Sequence, residues 1–199
     1  MTRVHAYMVD FDGTLADTGD ANYLAYASAL QEVGIYYSRE QFDKEAFGRN
    51  WRQFLPVVLK EYGSAADPAA IAARKVELYR DTARHVSFNE ALIFLLHNKN
   101  TNIKTALVTS ASLANVMAAF AGREELRQMF DVFVTGDDVT RHKPDPQSYW
   151  IAAERLGVSP KNCIVFEDSD IGIMAGRAFG AHVLQIRFEQ LCASPLFRH

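Results

Sequence analysis

Two acids two residues apart, Asp10 and Asp12, follow a short apolar run near the N-terminus. The run, residues 4–9, has the length and composition of a buried strand, and the segment DFDGTLADT then changes abruptly to acids and glycine. Carboxylates this close repel one another unless a cation or a shared proton neutralises them. The spacing therefore predicts a functional loop with a bound cation at the end of the first strand.

Polar side chains follow three later apolar runs in the same way. They are Thr109 and Ser110 after residues 104–108, Asp137 and Asp138 with Lys143 after residues 132–135, and Glu167 and Asp168 after residues 163–166. Ligands of parallel sheets bind beyond the carboxyl ends of the strands, so we expect these side chains to meet at one edge. Mg²⁺ prefers oxygen ligands and is commonly completed by a substrate phosphate, so it is the cation that this set favours.

These residues together are suited to transferring a phosphoryl group. Once a cation holds a phosphate oxygen beside Asp10, this carboxylate can attack phosphorus in line, and water then breaks down the aspartyl-phosphate. Asp12 is placed to protonate the leaving oxygen and later to take a proton from water. Gly13 lets the backbone approach the phosphate, the Thr109 hydroxyl can bind a phosphoryl oxygen, and Lys143 can neutralise developing charge. The pattern predicts a Mg²⁺-dependent phosphoryl-transfer enzyme.

The elements that must position these residues alternate along the second half of the chain. Short runs rich in Val, Ile and Leu predict strands, and the segments between them have helical periodicity. The predicted strands are residues 4–9, 104–108, 132–135, 163–166 and 182–186, and the helices between them are residues 89–98, 113–120, 146–156 and 171–179. This order predicts an α/β fold, with a Rossmann-like parallel sheet covered by helices on both faces.

The segment between the first strand and the alternating second half of the chain is predicted to contain only helices. Helices are predicted from residue 20 to a stop near Gly34, from a capping box formed by Ser38 and Gln41, and over residues 51–62 and 68–84. We therefore expect residues 1–18 and 85–199 to form the catalytic core, and residues 19–84 to be a helical cap inserted after the first strand.

Composition excludes several classes of protein. The 199 residues are 49% hydrophobic and 23% charged, as in globular proteins, and a net charge of −3 gives no field that would attract polyanions. We expect no nucleic-acid partner. Two cysteines are too few for a disulfide scaffold, and no run approaches the ~20 apolar residues of a membrane span. The expectation is a cytoplasmic protein without membrane contact, either a monomer or a weak homodimer.

Four segments resemble the motifs of the haloacid dehalogenase superfamily, in its phosphatase and β-phosphoglucomutase-like branch with a helical cap. They are VDFDGTLADT, LVTSAS, HKPDPQSY and VFEDSDIGIMAGRAFGA, and the resemblance spans almost the whole chain. It implies that Asp10 is the nucleophile, Asp12 the acid-base, Thr109 the phosphate ligand and Lys143 the charge stabiliser. Ser110 is the alternative phosphate ligand, because LVTSAS can be aligned one residue later.

The resemblance also implies a metal site and a class of substrate. Mg²⁺ is expected on Asp10, the backbone carbonyl of Asp12 and Asp168, with Glu167 contributing directly or through water. Within the family, an acid at Asp12 favours phosphoryl transfer over dehalogenation. The implied activity is hydrolysis of a small phosphorylated metabolite, such as a sugar, glycolate or polyol phosphate. The cap segment after Gly48 is where relatives place specificity residues, which makes Arg49 and Arg52, beside Asn50 and Trp51, the candidate substrate contacts.

Two alternatives stay open at this point. A β-phosphoglucomutase-like hexose phosphate mutase uses the same first half of the mechanism, but Asn22 stands about where such mutases carry a histidine, which weakens that interpretation. A catalytically silent binding module with the same fold is expected to have lost a core residue. Every core residue of the motifs is present, which favours an enzyme.

Overall fold

Five parallel strands form the central sheet of the structure, a computed structural model that describes residues 3–47 and 49–187. Together with two short strands outside this sheet, β2 and β3, the strands in chain order are β1 (Ala6–Val9), β2 (Ala16–Asp17), β3 (Ser87–Phe88), β4 (Lys104–Val108), β5 (Val132–Val134), β6 (Cys163–Glu167) and β7 (His182–Gln185). The sheet has the order β5-β4-β1-β6-β7, with β1 between β4 and β6. The predicted α/β class and the five predicted strands are confirmed.

Helices occupy both sides of this sheet and the segment after β2. They are α1 (Gly19–Gln31), α2 (Arg39–Glu45), α3 (Trp51–Glu61), α4 (Pro68–Thr82), α5 (Glu90–His97), α6 (Leu113–Ala119), α7 (Glu124–Arg127), α8 (Gln147–Leu156) and α9 (Asp170–Phe179). The predicted helices are confirmed to within about two residues at their ends, except that α1 ends three residues before Gly34. The four-residue α7 was not predicted, because one turn is too short for a periodic signal.

Alternate residues of each strand pack on opposite faces of the sheet. On β1, Val9 lies in a core with α5 and α6, whereas Met8 lies in a second core with α8 and α9. Tyr149 and Phe179 are the large side chains of the second core, and both are almost fully buried. Burial on both faces explains why the strands read as near-continuous apolar runs.

The helical region, α1 to α4, has a hydrophobic core of its own. Phe42, Phe54, Leu55 and Leu30 are buried at its centre. The predicted capping box at the start of α2 is confirmed, and a second one starts α3, where Asn50 and Gln53 exchange side-chain and backbone hydrogen bonds. This second box fixes the first turn of α3, which lies beside the ends of the sheet strands.

A short antiparallel ribbon joins the helical region to the sheet. Strand β2 pairs with β3, so the chain enters and leaves the helical region at the same place. The sequence did not indicate this pairing, because two-residue strands are too short to show alternation. Among the described residues, no helix is both long enough and apolar enough to cross a membrane.

Candidate active site

The ends of β1 and β6 bring two acids onto one lysine. Asp10 directly follows β1, Glu167 ends β6, and Lys143 comes from the loop between β5 and α8. The Lys143 Nζ atom lies 2.7 Å from Asp10 Oδ1 and 2.6 Å from Glu167 Oε1, and it also donates to the Val108 carbonyl at 3.1 Å. All three side chains are buried, so little water competes for these bonds.

Burial and the charges of neighbouring side chains shift the pKa values of Asp10 and Lys143. Burial raises the pKa of Asp10 well above its ordinary value; Glu167 raises it further, and Lys143 opposes both. Burial alone would lower the pKa of Lys143, but the carboxylates of Asp10 and Glu167 raise it well above its ordinary value. The lysine therefore keeps its charge at neutral pH and lies between the two carboxylates.

Asp168 adds a third carboxylate to the group. Its Oδ1 accepts a hydrogen bond from the Thr14 hydroxyl at 3.1 Å. Burial and the charge of Glu167 raise the pKa of Asp168 to about 6, although the Thr14 bond lowers it. The structure thus groups three carboxylates, two of which pair with one ammonium, and a cation would relieve this excess of negative charge.

The donor set fits a hard divalent cation. One carboxylate oxygen from each of Asp10, Glu167 and Asp168 lies within 4.8 Å of the others. Within the described residues, hydrogen bonds occupy one oxygen of Asp10, one of Asp168, and both of Glu167, whose partners include Lys143 and Ser169. Asp10 and Asp168 therefore each keep an oxygen for a metal ion, whereas Glu167 is already committed to orienting its neighbours.

Two glycines make room for this packing. Gly13 has φ +83°, and a Cβ there would lie 2.1 Å from Asp168 Oδ2. Gly172, in the first turn of α9, passes so close to Glu167 that a Cβ would lie 1.8 Å from Oε1. Any side chain at either position would displace a carboxylate, so Gly13 makes room for Asp168 besides its predicted approach to phosphate.

The Asp12 side chain turns away from the carboxylate group and into a separate set of hydrogen bonds. Its Oδ1 accepts from the Thr18 hydroxyl and from Asn22 Nδ2, the latter at 3.1 Å. Its Oδ2 lies 3.4 Å from the Thr109 hydroxyl. Asp12 is thus held from α1 and from the end of β4, in a position different from that of Asp10.

The two candidate phosphate ligands face different surroundings. The Thr109 side chain is buried, and its hydroxyl oxygen accepts from the Ala111 N–H at 3.0 Å while facing Asp12. Ser110 instead lines a cavity of about 10 Å³ whose other residues are Asp10, Asp12, Lys143 and Ser169. Beside Asp10, the structure therefore presents Ser110 and not Thr109 to the small cavity.

A larger cavity of about 230 Å³ lies between the helical region and the strand ends. Asp12 and Ser110 line it as well as the small cavity, so the two cavities meet at these residues. Arg49 lines the larger cavity, as expected of a substrate contact. Arg52 is not among its lining residues, and its guanidinium instead stacks over the Trp51 ring at 4.4 Å.

Lys75 is a lining residue that the sequence analysis missed. It is 1% exposed, and its Nζ lies 2.6 Å from Asn22 Oδ1 and 4.1 Å from the centre of the Tyr79 ring. Burial lowers its pKa to about 7. The available signal was spacing: Ile71, Lys75 and Tyr79 recur every four residues, which places a lysine on the buried face of α4.

Tyr149 was also missed. Its hydroxyl donates to Glu167 Oε1 at 3.2 Å, and its ring lies beneath the Lys143 ammonium at 5.3 Å. The residue is the first large side chain on the buried face of α8, so its spacing predicts a core position and gives no sign of its polar contact.

Comparison with known proteins places this geometry in a family. A family model described as haloacid dehalogenase-like hydrolase matches residues 7–186. Fructose-1-phosphate phosphatase YqaB of Escherichia coli K12 is 29% identical over 187 residues, which cover 93% of this chain and 97% of that protein. A phosphorylated carbohydrates phosphatase of Thermotoga maritima is 31% identical over 182 residues, covering 89% of this chain and 82% of that protein.

A solved structure supports the same assignment. CbbY from Rhodobacter sphaeroides, in complex with phosphate, superposes with a TM-score of 0.84 at 25% identity, and the match covers 96% of this chain and 92% of that one. The matched family segment begins in β1 and extends through β7, so it includes the strand ends that carry the acids and the lysine. This chain belongs to the haloacid dehalogenase-like hydrolase family.

Proposed function

We propose that this chain is a Mg²⁺-dependent phosphomonoester hydrolase that acts on a small phosphorylated metabolite through an aspartyl-phosphate on Asp10. The observation that carries the proposal is the Lys143 ammonium bridging Asp10 and Glu167, with Asp12 held separately at the same edge of the sheet. This arrangement provides a nucleophile, a fixed positive charge and a second carboxylate in distinct positions.

Asp10 attacks phosphorus with one of its two carboxylate oxygens. Because the lysine fixes Oδ1 at 2.7 Å, the carboxylate cannot turn freely and both of its oxygens keep their directions. The bond from phosphorus to the alcohol oxygen breaks as the bond to Asp10 forms. Lys143 stabilises the negative charge that builds up on the transferring group.

Asp12 moves the protons. In its protonated form it donates to the leaving alcohol oxygen, and as a carboxylate it then takes a proton from the water that attacks the aspartyl-phosphate. The hydrogen bonds from Thr18 and Asn22 hold Asp12 in place for both steps. Ser110 and Thr109 directly follow β4 at the same edge of the sheet, and Ser110 is the residue that lines the small cavity beside Asp10.

We propose Mg²⁺ as the cation because the free oxygens at this edge belong to carboxylates. Asp10, Asp168 and the backbone carbonyl of Asp12 would hold it, and Glu167 would act through water, since both of its oxygens already accept hydrogen bonds. When bound, the ion polarises the phosphoryl group and offsets the repulsion between substrate and carboxylates.

Sugar and polyol phosphates are the substrates that we favour. Two of the relatives are named as phosphatases of fructose 1-phosphate and of phosphorylated carbohydrates. The 230 Å³ cavity adjoins Asp12 and Ser110 and has room for the part of the substrate beyond the phosphate. We propose that residues 19–84 act as a cap over that part, with Arg49 as a contact. The cytoplasmic location and the monomeric or weakly dimeric state stay predictions.

Replacing the nucleophile tests the proposal directly. Asp10→Asn keeps the shape of the side chain but removes the attacking oxygen, so hydrolysis of p-nitrophenyl phosphate should fall by at least about 10⁴-fold. Lys143 still pairs with Glu167 in this variant, so the thermal unfolding midpoint should change little. The exposed Asp43→Asn is the matched control and should retain wild-type rates. Turnover by the Asp10 variant near the wild-type rate contradicts the nucleophile assignment.

The same assay separates hydrolase from mutase. Phosphate released from a panel of esters, with Mg²⁺ and not with EDTA, supports the hydrolase. Conversion of glucose 1-phosphate to glucose 6-phosphate without phosphate release, and only with a bisphosphate primer, would instead identify a mutase. Asn22 favours the first outcome, because an amide bound to Asp12 and Lys75 has no titratable proton to exchange.

A further inference from the structure

Three asparagines line the larger cavity, and two of them have their side-chain amides engaged by the protein. Asn22 donates to Asp12 at 3.1 Å and accepts from Lys75 at 2.6 Å. Asn50 donates to the Ser110 carbonyl at 3.2 Å, and its oxygen caps the first turn of α3. These two amides hold the walls of the cavity together, and the protein itself satisfies them.

The third asparagine, Asn115, is different. Its backbone N–H bonds to Ser112 at the start of α6, which fixes where the side chain leaves the helix. The residue is only 9% exposed, and its Oδ1 is buried without a hydrogen-bond partner among the described residues. A buried amide oxygen left unpaired is unfavourable, so the amide gains if it turns this oxygen towards a polar group in the cavity that the residue lines.

The chemistry of an amide narrows the class of ligand. An asparagine side chain can turn over about its last torsion, so either its carbonyl oxygen or its NH₂ group can face the cavity. A hydroxyl satisfies both, because it donates one hydrogen bond and accepts others. A phosphate oxygen could pair only with the NH₂ end. Asn115 is therefore best matched by an alcohol.

The charges of the residues that line the larger cavity are consistent with a ligand that is neutral in this part. Its described lining carries two acids, Asp12 and Asp137, and two bases, Arg49 and Lys75. Lys75 is engaged with Asn22, and the Asp137 carboxylate accepts from a backbone N–H of α6 at 3.0 Å. The lining thus has no excess positive charge to attract a second phosphate beyond the one at Asp10.

We propose that Asn115 is a specificity-determining residue that hydrogen-bonds a hydroxyl of the alcohol part of the substrate. The inference rests on the proposed hydrolysis and deepens it, because it selects phosphate esters of polyhydroxylated alcohols over apolar esters and over bisphosphates. Asn115 acts in recognition; it takes no part in bond making or breaking.

A matched pair of esters tests this assignment. Sorbitol 6-phosphate and n-hexyl phosphate have the same number of carbons and the same phosphate, but only the first has hydroxyls. The wild type should prefer sorbitol 6-phosphate in kcat/KM. Asn115→Leu has the same number and branching of heavy atoms and no polar atom, so this preference should fall by about tenfold, mostly through KM for the sorbitol ester.

Ala114→Leu is the control, because it adds the same side chain to the exposed face of the same helix. It should keep the wild-type preference. An unchanged preference in a folded Asn115→Leu overturns the assignment, as does an equal fall in the control. If the leucine variant does not fold, Asn115→Ser is measured against the same two outcomes. A wild type that hydrolyses neither of these esters nor p-nitrophenyl phosphate contradicts the proposed hydrolysis itself, and the role of Asn115 with it.

Discussion

Two buried lysines show how differently the strand ends and the helical region treat the same charge. Lys143 is 4% exposed and lies between Asp10 and Glu167, at 2.7 and 2.6 Å. Lys75 is 1% exposed, and its hydrogen-bond partner is the neutral amide of Asn22, at 2.6 Å. The first ammonium has two carboxylates against it, and the second has none among the residues that the structure describes.

The pKa values of the two lysines therefore shift in opposite directions. The carboxylates outweigh burial at Lys143 and raise its pKa, whereas burial dominates at Lys75 and lowers its pKa to about 7, with only a partial offset from Asp12. The strand ends thus contain an ammonium that keeps its charge at neutral pH. The cavity beside them contains an ammonium whose pKa lies near neutral pH.

Removing the paired lysine should have the larger effect. Lys143→Met leaves Asp10 and Glu167 buried without their counter-charge, so without divalent ions the free energy of unfolding should fall by about 3 kcal/mol. The transferring phosphoryl group also loses its fixed positive charge, and kcat should fall on the order of 10³-fold. Urea unfolding with EDTA and steady-state turnover with Mg²⁺ measure the two effects.

The exposed Lys161→Met is the control for Lys143, since it removes a charge that has no buried partner. It should leave stability within about 0.5 kcal/mol of the wild type. If Lys143→Met were equally harmless, the ion pairs seen at the strand ends would carry neither stability nor catalysis, and the contrast between the lysines would fail.

The contrast between the strand ends and the helical region also explains which side-chain contacts could be predicted from the sequence. Asp10, Glu167, Asp168 and Lys143 each follow or end an apolar run, and the parallel sheet alone forces such residues to one edge. Their meeting was therefore predictable from strand order. The partners of Asp12 were not, because Thr18 precedes and Asn22 belongs to a helix, α1, whose placement over the sheet depends on side-chain packing.

Lys75 and Tyr149 show more clearly what the periodicity of a sequence cannot predict. Both lie at buried positions of helices, where periodicity predicts packing and says nothing about a polar tip. The ribbon of β2 and β3 was missed for a related reason, since two residues per strand carry no pattern. The residues that meet at the strand ends can thus be predicted from the order of elements along the chain. The residues that line the cavity can be identified only from the three-dimensional structure.

The unpaired lysine should make stability depend on pH. In the unfolded chain Lys75 keeps its proton to about pH 10.5, but in the folded chain only to about pH 7. Between these values the unfolded state binds more protons, so the free energy of unfolding should rise with pH, by at most about 1.4 kcal/mol per unit. The destabilisation is complete below about pH 7 and disappears towards pH 10.5.

Lys75→Met should remove this slope. Urea unfolding between about pH 7.5 and 9.5 should give a flatter curve for the variant, with the gain in stability largest at the lower pH. The exposed Lys44→Met, in the same helical region, should follow the wild-type curve. Parallel curves for Lys75→Met and the wild type would show that burial does not perturb Lys75, and the two lysines would then be alike.

The smallest expected effect concerns the contact that holds the region of Lys75 against the strand ends. Asn50→Asp keeps the oxygen that caps α3 but replaces the NH₂ group that donates to the Ser110 carbonyl, so an attraction becomes a repulsion. KM for sorbitol 6-phosphate should rise about fivefold with a smaller change in kcat. Asn98→Asp removes a similar donor at the exposed end of α5 and should leave KM unchanged. Equal KM values for the two variants would mean that the cavity keeps its shape without this contact, and that Lys75 owes its burial to the helical region alone.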